Sequence, residues 1–329
     1  MVGYSTSPLQ IVMTPVRNEA WVLRAFLEST SKWADYIIIA DQMSTDGSRE
    51  IAQSYDKVIL IDNNNPEFNE PERQAMLVAK AREVAAGRDT LLWGLDADEV
   101  LAANTFETED WKHILNSKQG DVFWFKWAEI CPDKKHYWVS PTTYYPWLFH
   151  DDGKEPHGNY VRNMHSMRIP YPIEEKQMYY VKDFHVLHFA YMNPFRVQSK
   201  RRFYTFVDWE LNHRSPVSLS RNYAQTKKED TLCELPKKFI QFGFDLWSQI
   251  DCHSSTCWMD DYVVEHLSRY PVSQTRRLPI WDNVFCENYH LEDPRREVDK
   301  WIHSYFARTQ KKNSHTLVRF LDKFLKVFY

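Results

Sequence analysis

Three acidic residues follow an apolar segment in the order Asp96-Ala97-Asp98-Glu99. The preceding residues, 90–95, are apolar and predict a buried strand. Mg²⁺ and Mn²⁺ bind through oxygen ligands and typically combine a few carboxylates with the phosphates of a substrate. The motif therefore indicates a cation site that would hold the diphosphate of a nucleotide-activated donor. Acidic residues are also favoured at the start of a helix, which is the structural alternative.

Four apolar segments, including the one before this motif, alternate with helical patterns. The predicted strands are residues 9–13, 36–40, 58–61 and 90–95, and a long helix is predicted over 71–86. Short, apolar strands that alternate with helices are typical of a parallel sheet covered by helices on both faces. Polar residues follow the strands, and ligands of such sheets bind at the carboxyl ends of the strands. We therefore expect these polar groups to converge on one edge.

Composition and charge narrow the class of protein. The chain has 329 residues, of which 43% are hydrophobic and 26% charged, as in a globular protein. The net charge of -4 gives no signal for nucleic acid binding. Five scattered cysteines indicate reduced thiols and a cytoplasmic location. We expect neither a signal peptide nor a membrane-spanning segment.

After about residue 120 the chain becomes richer in aromatic residues. Segments 121–127, 137–149 and 185–189 predict further strands, the last with two histidines. Residues 194–212 predict a basic helix, and residues 301–329 predict a helical, basic and aromatic end. The basic helical end is compatible with packing on the protein or a partner subunit, or with contact to an anionic membrane surface.

Three motifs stand in the order known from one family, and Asp41 lies between the first two. They are Pro15-Val16-Arg17-Asn18-Glu19, Ser44-Thr45-Asp46-Gly47-Ser48 and Leu95-Asp96-Ala97-Asp98-Glu99. This order resembles the family 2 type glycosyltransferases of GT-A fold, and among them bacterial transferases similar to lipopolysaccharide glucosyltransferases. The resemblance is good over residues 9–103, thinner over 121–205 and absent beyond.

The resemblance implies an α/β fold with a Rossmann-like, mostly parallel sheet flanked by helices. The GT-A domain would cover residues 1–212, with the nucleotide-sugar part at 9–103 and the acceptor part at about 120–212. Residues 213–329 would form a mainly helical, aromatic-rich C-terminal extension.

Residues for the nucleotide sugar follow from the same resemblance. They are Thr14, Pro15, Arg17, Glu19, Asp41, Asp46, Arg73, Asp96 and Lys200. Asp46 could instead cap the following helix, and Arg73 could be a solvated helix charge. Gln74 replaces the Asn that usually follows the residue equivalent to Arg73.

The metal ligands implied by the resemblance are Asp98, Asp96 and His188, and the cation would be Mn²⁺ or Mg²⁺. Glu99 would orient these ligands without itself binding the cation. His188 precedes an aromatic residue and a basic helix, as in the family, whereas His185 would face the opposite side of the strand. A histidine in a strand is otherwise commonly a packed or hydrogen-bonded residue.

A catalytic base must lie within hydrogen-bond reach of the acceptor hydroxyl. The candidates are Glu129, Asp151, Asp152 and His165, and Ser166 stands where the family has a glutamate. Asp151 and Asp152 could also be ordinary surface acids beside Gly153.

The sequence as a whole predicts a metal-dependent, inverting glycosyltransferase for glycan, lipopolysaccharide or capsule synthesis. Its donor would be a UDP- or GDP-linked sugar and its acceptor a glycan or lipid-linked hydroxyl. The protein would be cytoplasmic and peripheral at the inner membrane face through its helical end. A nucleotidyltransferase with similar cation and diphosphate chemistry and a noncatalytic nucleotide-sugar or glycan binding module are the alternatives.

Overall fold

The computed structural model describes residues 7–154, 166–170, 178–223, 232–253, 257–312 and 314–329. The strands are β1 (Leu9–Val16), β2 (Tyr36–Asp41), β3 (Val58–Asp62), β4 (Thr90–Gly94), β5 (Glu99–Leu101), β6 (Val122–Phe125), β7 (Trp127–Ile130), β8 (His136–Trp138), β9 (Tyr145–His150), β10 (Met178–Tyr180), β11 (Val186–His188) and β12 (Cys233–Glu234).

The helices are α1 (Ala20–Thr30), α2 (Ser48–Gln53), α3 (Glu70–Ala85), α4 (Glu109–Leu115), α5 (Pro194–Asn212), α6 (Pro216–Tyr223), α7 (Trp258–Leu267), α8 (Val272–Thr275), α9 (Asn283–Asn288), α10 (Glu297–Thr309) and α11 (Thr316–Phe328). Backbone contacts divide the chain into two units, Met1–Met192 with Thr231–His253 and Asn193–Asp230 with Ser254–Tyr329.

A seven-stranded sheet in the order β10-β6-β9-β4-β1-β2-β3 organises the first unit. The strands β1 to β4 are parallel to one another, and β9 runs antiparallel to both β4 and β6. In β1, Val12 belongs to the apolar cluster that includes Phe26 of α1, whereas Ile11 belongs to the cluster of Leu77 of α3. Helices thus cover both faces, which confirms the predicted mostly parallel α/β sheet.

The first strand is longer than predicted. Parallel pairing continues to Val16, which is opposite Asp41 of β2, and Asp41 is in turn opposite Asp62 of β3. Thr14 and Pro15 are therefore strand residues rather than loop residues. The carboxyl ends of the three strands form one edge.

A second sheet has the order β12-β8-β7-β11-β5. The predicted strand 121–127 is two strands, because Val122–Phe125 pairs with β9 in the first sheet, whereas Trp127–Ile130 pairs with β8 and β11 in the second. The β5 strand was not predicted, since three residues are too short to show a hydrophobic period. It follows the acidic motif directly.

The second unit is helical in the described residues. The α5 helix has the predicted bounds but belongs to this unit, because its buried Arg202 forms ion pairs with Asp260 and Asp282 and its Phe203 packs against Tyr262. The predicted domain boundary at residue 212 therefore falls inside the second unit. The predicted helical end is two helices, α10 and α11.

None of the helices in the described ranges combines the length and the apolar character that a bilayer span requires.

Candidate active site

The motif Asp96-Ala97-Asp98-Glu99 links the two sheets of the first unit. The β4 strand ends at Gly94 in the seven-stranded sheet, and β5 begins at Glu99 in the other. The Glu99 N–H donates to the Asp96 carbonyl oxygen over 3.0 Å and closes a tight turn. Asp98 and Glu99 are buried by this turn, while Asp96 is half-buried.

The second sheet aligns three ionisable side chains in one row. His188 on β11 is the register partner of Glu99 on β5 and of Glu129 on β7. Directly opposed residues on neighbouring strands project to the same face of a sheet. All three residues are buried, and Asp98 joins them because its Oδ2 lies 3.5 Å from His188 Nε2.

The imidazole of His188 contacts other side chains through its Nδ1 atom and through its ring face. Its Nδ1 lies 2.9 Å from Glu129 Oε2, although without the angle of a hydrogen bond. Its ring stacks on Trp127, with centroids 4.5 Å apart. Burial alone would lower the pKa of His188, but the carboxylates of Glu129 and Asp98 outweigh burial and raise the pKa to about 10.

Arg168 is a site residue that the sequence did not predict. Its guanidinium donates to Asp96 Oδ2 over 2.5 Å and to Glu99 Oε2 over 2.7 Å. Burial raises the pKa of Glu99 to about 6, and the nearby Arg168 limits this rise. Burial would lower the pKa of Arg168, but Asp96 and Glu99 reverse the effect and hold the pKa above its ordinary value.

Gly94 makes the position of Arg168 sterically feasible. A Cβ atom at Gly94 would lie 2.6 Å from Arg168 Cβ and 2.9 Å from its carbonyl oxygen. A glycine within a strand commonly marks close approach of another backbone segment. This glycine at the end of an apolar strand was the available sequence signal for an additional segment at the site.

The cluster fits a divalent cation. Asp98, Glu99 and His188 each offer a ligand atom, and these atoms lie within 4.8 Å of one another. The carboxylates of Asp96, Asp98, Glu99 and Glu129 all contribute negative charge to the cluster, and Arg168 forms ion pairs with two of them, Asp96 and Glu99. The proton that His188 retains offsets part of this charge, as a bound cation would. Oxygen ligands with one imidazole suit Mn²⁺ better than Mg²⁺, which prefers oxygen alone.

Glu99 therefore differs from its predicted supporting role, because the structure includes it in the potential ligand set. Its oxygens also accept from Trp127 Nε1 at 2.9 Å and from Arg168. Asp96, also predicted as a ligand, forms an ion pair with Arg168, and its contact with a cation or a ribose remains a prediction. Asp98 and His188 are the predicted ligands that the fold brings together.

Two predicted nucleotide-binding residues have buried polar atoms at the carboxyl edge of the parallel strands. Asp41 ends β2, and its Oδ2 accepts from Arg49 at 2.7 Å. Within the described ranges, Asp41 Oδ1 and Thr14 Oγ1 have no hydrogen-bond partner. Since buried polar atoms are normally hydrogen-bonded, this pattern favours a polar ligand at the edge.

The remaining predicted residues of the first loops make contacts within the protein. Arg17 donates to the Pro66 carbonyl oxygen at 3.3 Å, and Glu19 accepts from the Trp21 indole. Asp46 bonds the Ser48 N–H and hydroxyl and also the Ala20 N–H, at the start of α1. Asp46 thus holds two loops together. Pro15 is half-buried in β1.

Two predicted basic residues lie on helices. Arg73 on α3 is 3.9 Å from Glu70, and its buried Nε has no hydrogen-bond partner among the described residues. Lys200 lies on α5 in the second unit. Their contacts with a nucleotide sugar remain predictions.

The base candidates occupy different places. Glu129 belongs to the buried cluster, whereas His165 lies outside the described residues. Asp151 and Asp152 follow β9, which runs antiparallel to β4, and the Asp151 N–H donates to the Thr90 carbonyl oxygen. This reversal of direction puts Asp151 and its neighbour at the opposite end of β4 from the acidic motif, which corrects their predicted placement. Asp151 is instead bound by Arg82.

Comparison with known structures yields several distant similarities. Glucosyl-3-phosphoglycerate synthase from Mycobacterium tuberculosis, in its complex with Mn²⁺, UDP and glucosyl-3-phosphoglycerate, has 16% identity and a TM-score of 0.27 over 39% of this chain and 50% of that chain. The same enzyme in its complex with phosphoglyceric acid has 17% identity and a TM-score of 0.27, over 37% of this chain and 44% of that chain. The chain therefore spans about half the length of this relative.

Two further structures are similar to the chain. GalNAc-T7, with UDP, GalNAc and Mn²⁺, has 12% identity and a TM-score of 0.38 over 80% of this chain and 58% of that chain. HddC from Yersinia pseudotuberculosis has 10% identity and a TM-score of 0.34, over 55% of this chain and 93% of that chain. No curated protein matches the chain.

Family membership follows from a broader sequence match. The family model described as glycosyl transferase family 2 matches residues 11–193. This range is more than half of the chain and contains most of β1, the strands β2 to β11, the acidic turn and His188. The chain belongs to glycosyl transferase family 2 and has the GT-A fold of that family.

Proposed function

We propose that this protein is a divalent-cation-dependent glycosyltransferase that moves a sugar from a nucleotide sugar to an acceptor hydroxyl with inversion. The observation that carries the proposal is the buried cluster of Asp98, Glu99 and His188 beside the carboxyl edge of the parallel sheet. Family membership supports sugar transfer and, by resemblance, inversion.

Different residues of the first unit would bind the nucleoside, hold the cation and position the cation ligands. Thr14 and Asp41 would bind the nucleoside through their buried oxygens, and Asp98 and His188 would hold Mn²⁺ or Mg²⁺. The bound cation supplies positive charge for the diphosphate leaving group. Arg168 keeps Asp96 and Glu99 in place, and Glu129 positions His188. Because of that contact, we assign Glu129 a positioning role rather than that of the base, for which His165 remains the candidate.

The donor would be UDP- or GDP-linked and the acceptor a glycan or lipid-linked hydroxyl, as in lipopolysaccharide or capsule synthesis. The protein would work in the cytoplasm. A thermal-shift screen of nucleotide sugars, with and without Mn²⁺, tests donor binding. We expect stabilisation by one donor only when Mn²⁺ is present.

Turnover of that donor tests the chemistry. Asp98→Asn should abolish Mn²⁺-dependent release of nucleoside diphosphate, whereas Asp56→Asn, at an exposed position, should preserve it. Pyrophosphate as the product would identify nucleotidyl transfer and overturn the proposal. Full turnover by Asp98→Asn would also overturn it.

A further inference from the structure

The α11 helix has an apolar face that is open to solvent. The exposed fractions of its side chains range from 39% to 74%. They recur at helical spacing and comprise Leu317, Phe320, Leu321, Phe324, Val327 and Phe328. At about 100° per residue, these six positions span roughly a third of the helix circumference. Exposed apolar patches of this kind mark interaction surfaces.

A different face fixes the helix to its own unit. Val318 is buried, and Leu325 packs against the cluster of Val217, Ile302 and Phe306. The same face contains Asp322, which accepts two hydrogen bonds of 2.8 Å from Arg221. The exposed apolar face is therefore held in a defined orientation and is not simply the inner side of a detached helix.

A third face is basic. Arg319, Lys323 and Lys326 are exposed and fall within one arc of the helix, beside the apolar face. The sequence from Arg308 to Tyr329 contains six basic residues and one acidic residue, Asp322, although the whole chain has a net charge of -4. Since Arg221 neutralises Asp322, positive charge is concentrated around the apolar face.

We propose that α11 docks on the surface of an anionic phospholipid bilayer. Its 13 residues are about 20 Å long and too short for a hydrocarbon core of about 30 Å, so the helix would lie in the plane of the interface. Phenylalanine and leucine would enter the acyl boundary, while the basic arc contacts anionic head groups. Charge complementarity favours this partner, and the inference does not depend on the proposed sugar transfer.

Sedimentation of the protein with vesicles tests the proposal. Vesicles of phosphatidylethanolamine and phosphatidylglycerol should bind the protein, and vesicles of phosphatidylcholine alone should bind it much more weakly. Phe320→Asp/Phe324→Asp should reduce partitioning at least about tenfold. The matched control, Val272→Asp/Val284→Asp, changes exposed apolar residues elsewhere in the same unit and should bind as the unmodified chain does.

Reversing the charge of the basic arc tests the electrostatic part of the proposed membrane binding. Lys323→Glu/Lys326→Glu should remove most of the preference for phosphatidylglycerol, whereas Lys237→Glu/Lys238→Glu makes the same change in net charge and should retain it. Retained thermal unfolding would show that each variant is folded. Vesicle binding that is absent, or indifferent to the α11 variants, would overturn the proposal. A dimer that Phe320→Asp/Phe324→Asp dissociates, without vesicle binding, would overturn it in favour of a second copy.

Discussion

Glu129 and His188 face each other across neighbouring strands, with Oε2 and Nδ1 2.9 Å apart. The other imidazole nitrogen, Nε2, faces Asp98. The two nitrogens of His188 therefore have different surroundings, one beside a positioning carboxylate and the other at the candidate cation site. A carboxylate behind a metal-binding histidine fixes the ring and increases its basicity.

Glu129→Gln should weaken Mn²⁺ binding about tenfold or more, because the amide no longer supports His188 with a negative charge. The turnover number at saturating Mn²⁺ should change by less than about threefold. Calorimetric titration of Mn²⁺ and donor-turnover kinetics measure the two effects. Glu107→Gln, an exposed change of the same type, is the control. Loss of turnover with normal Mn²⁺ affinity would make Glu129 the base instead.

The stability of the metal-free protein should fall as the pH rises from about 7 to about 10. The folded-state pKa of His188, about 10, is above the ordinary value of 6.5. Its protonated form thus stabilises the fold fully below about pH 6.5, and this contribution is lost as the pH passes through about 10. Thermal unfolding in a chelator should show a decrease in Tm on the order of 5 °C.

Two histidine variants determine whether His188 causes this decrease. His188→Gln should flatten the dependence of Tm on pH. His185→Gln should leave it unchanged, because burial lowers the pKa of His185, which is then neutral across the window. Glu99, whose pKa is raised to about 6, changes its protonation below this pH range and does not contribute to the decrease. An identical decrease in the His188→Gln protein would contradict the assignment.

Continuous apolar runs made the parallel half of the fold predictable. The segments that became β1, β2 and β4 are largely buried on both faces, and the edge strand β3 is half-buried and equally apolar in sequence. Their hydrophobicity alone indicated strands, and their order indicated a common edge. The long helices α3 and α5 were also recognisable from the sequence, and each has a proline within its first two positions, where helices tolerate it. Asp98 and His188 were identified by resemblance, and the fold brings them together.

The row of Glu99, His188 and Glu129 was not predictable as a row. It depends on the register of β5, β7 and β11, which are three or four residues long and far apart in the sequence. Such short strands have no measurable period, and their pairing is a tertiary property. Arg168 was missed for a similar reason, because a single close approach at Gly94 determines its place.

Gly94→Ala should displace Arg168 from Asp96 and Glu99. The added methyl group would collide with the Cβ atom and the carbonyl oxygen of Arg168, and backbone atoms cannot move as freely as a flexible side-chain end. We expect a loss of about 1–3 kcal/mol in the free energy of unfolding, together with reduced donor turnover. Denaturant titration and kinetics measure these quantities. Arg168→Gln should reproduce the reduced turnover, and unfolding of Gly94→Ala at the unmodified denaturant concentration would refute the steric argument.

Asp151→Asn should affect stability and leave catalysis intact. Arg82 donates to both carboxylate oxygens of Asp151, over 3.0 and 2.7 Å, at the end of the sheet away from the acidic turn. Loss of this bidentate ion pair should lower the free energy of unfolding by about 1–2 kcal/mol, while the turnover number stays within about twofold of that of the unmodified protein. Arg82→Gln should cost a similar amount, and the double variant should cost less than the sum, because both changes remove one interaction. A large fall in turnover with unchanged stability would restore Asp151 as a candidate base and contradict its placement at the amino end of β4.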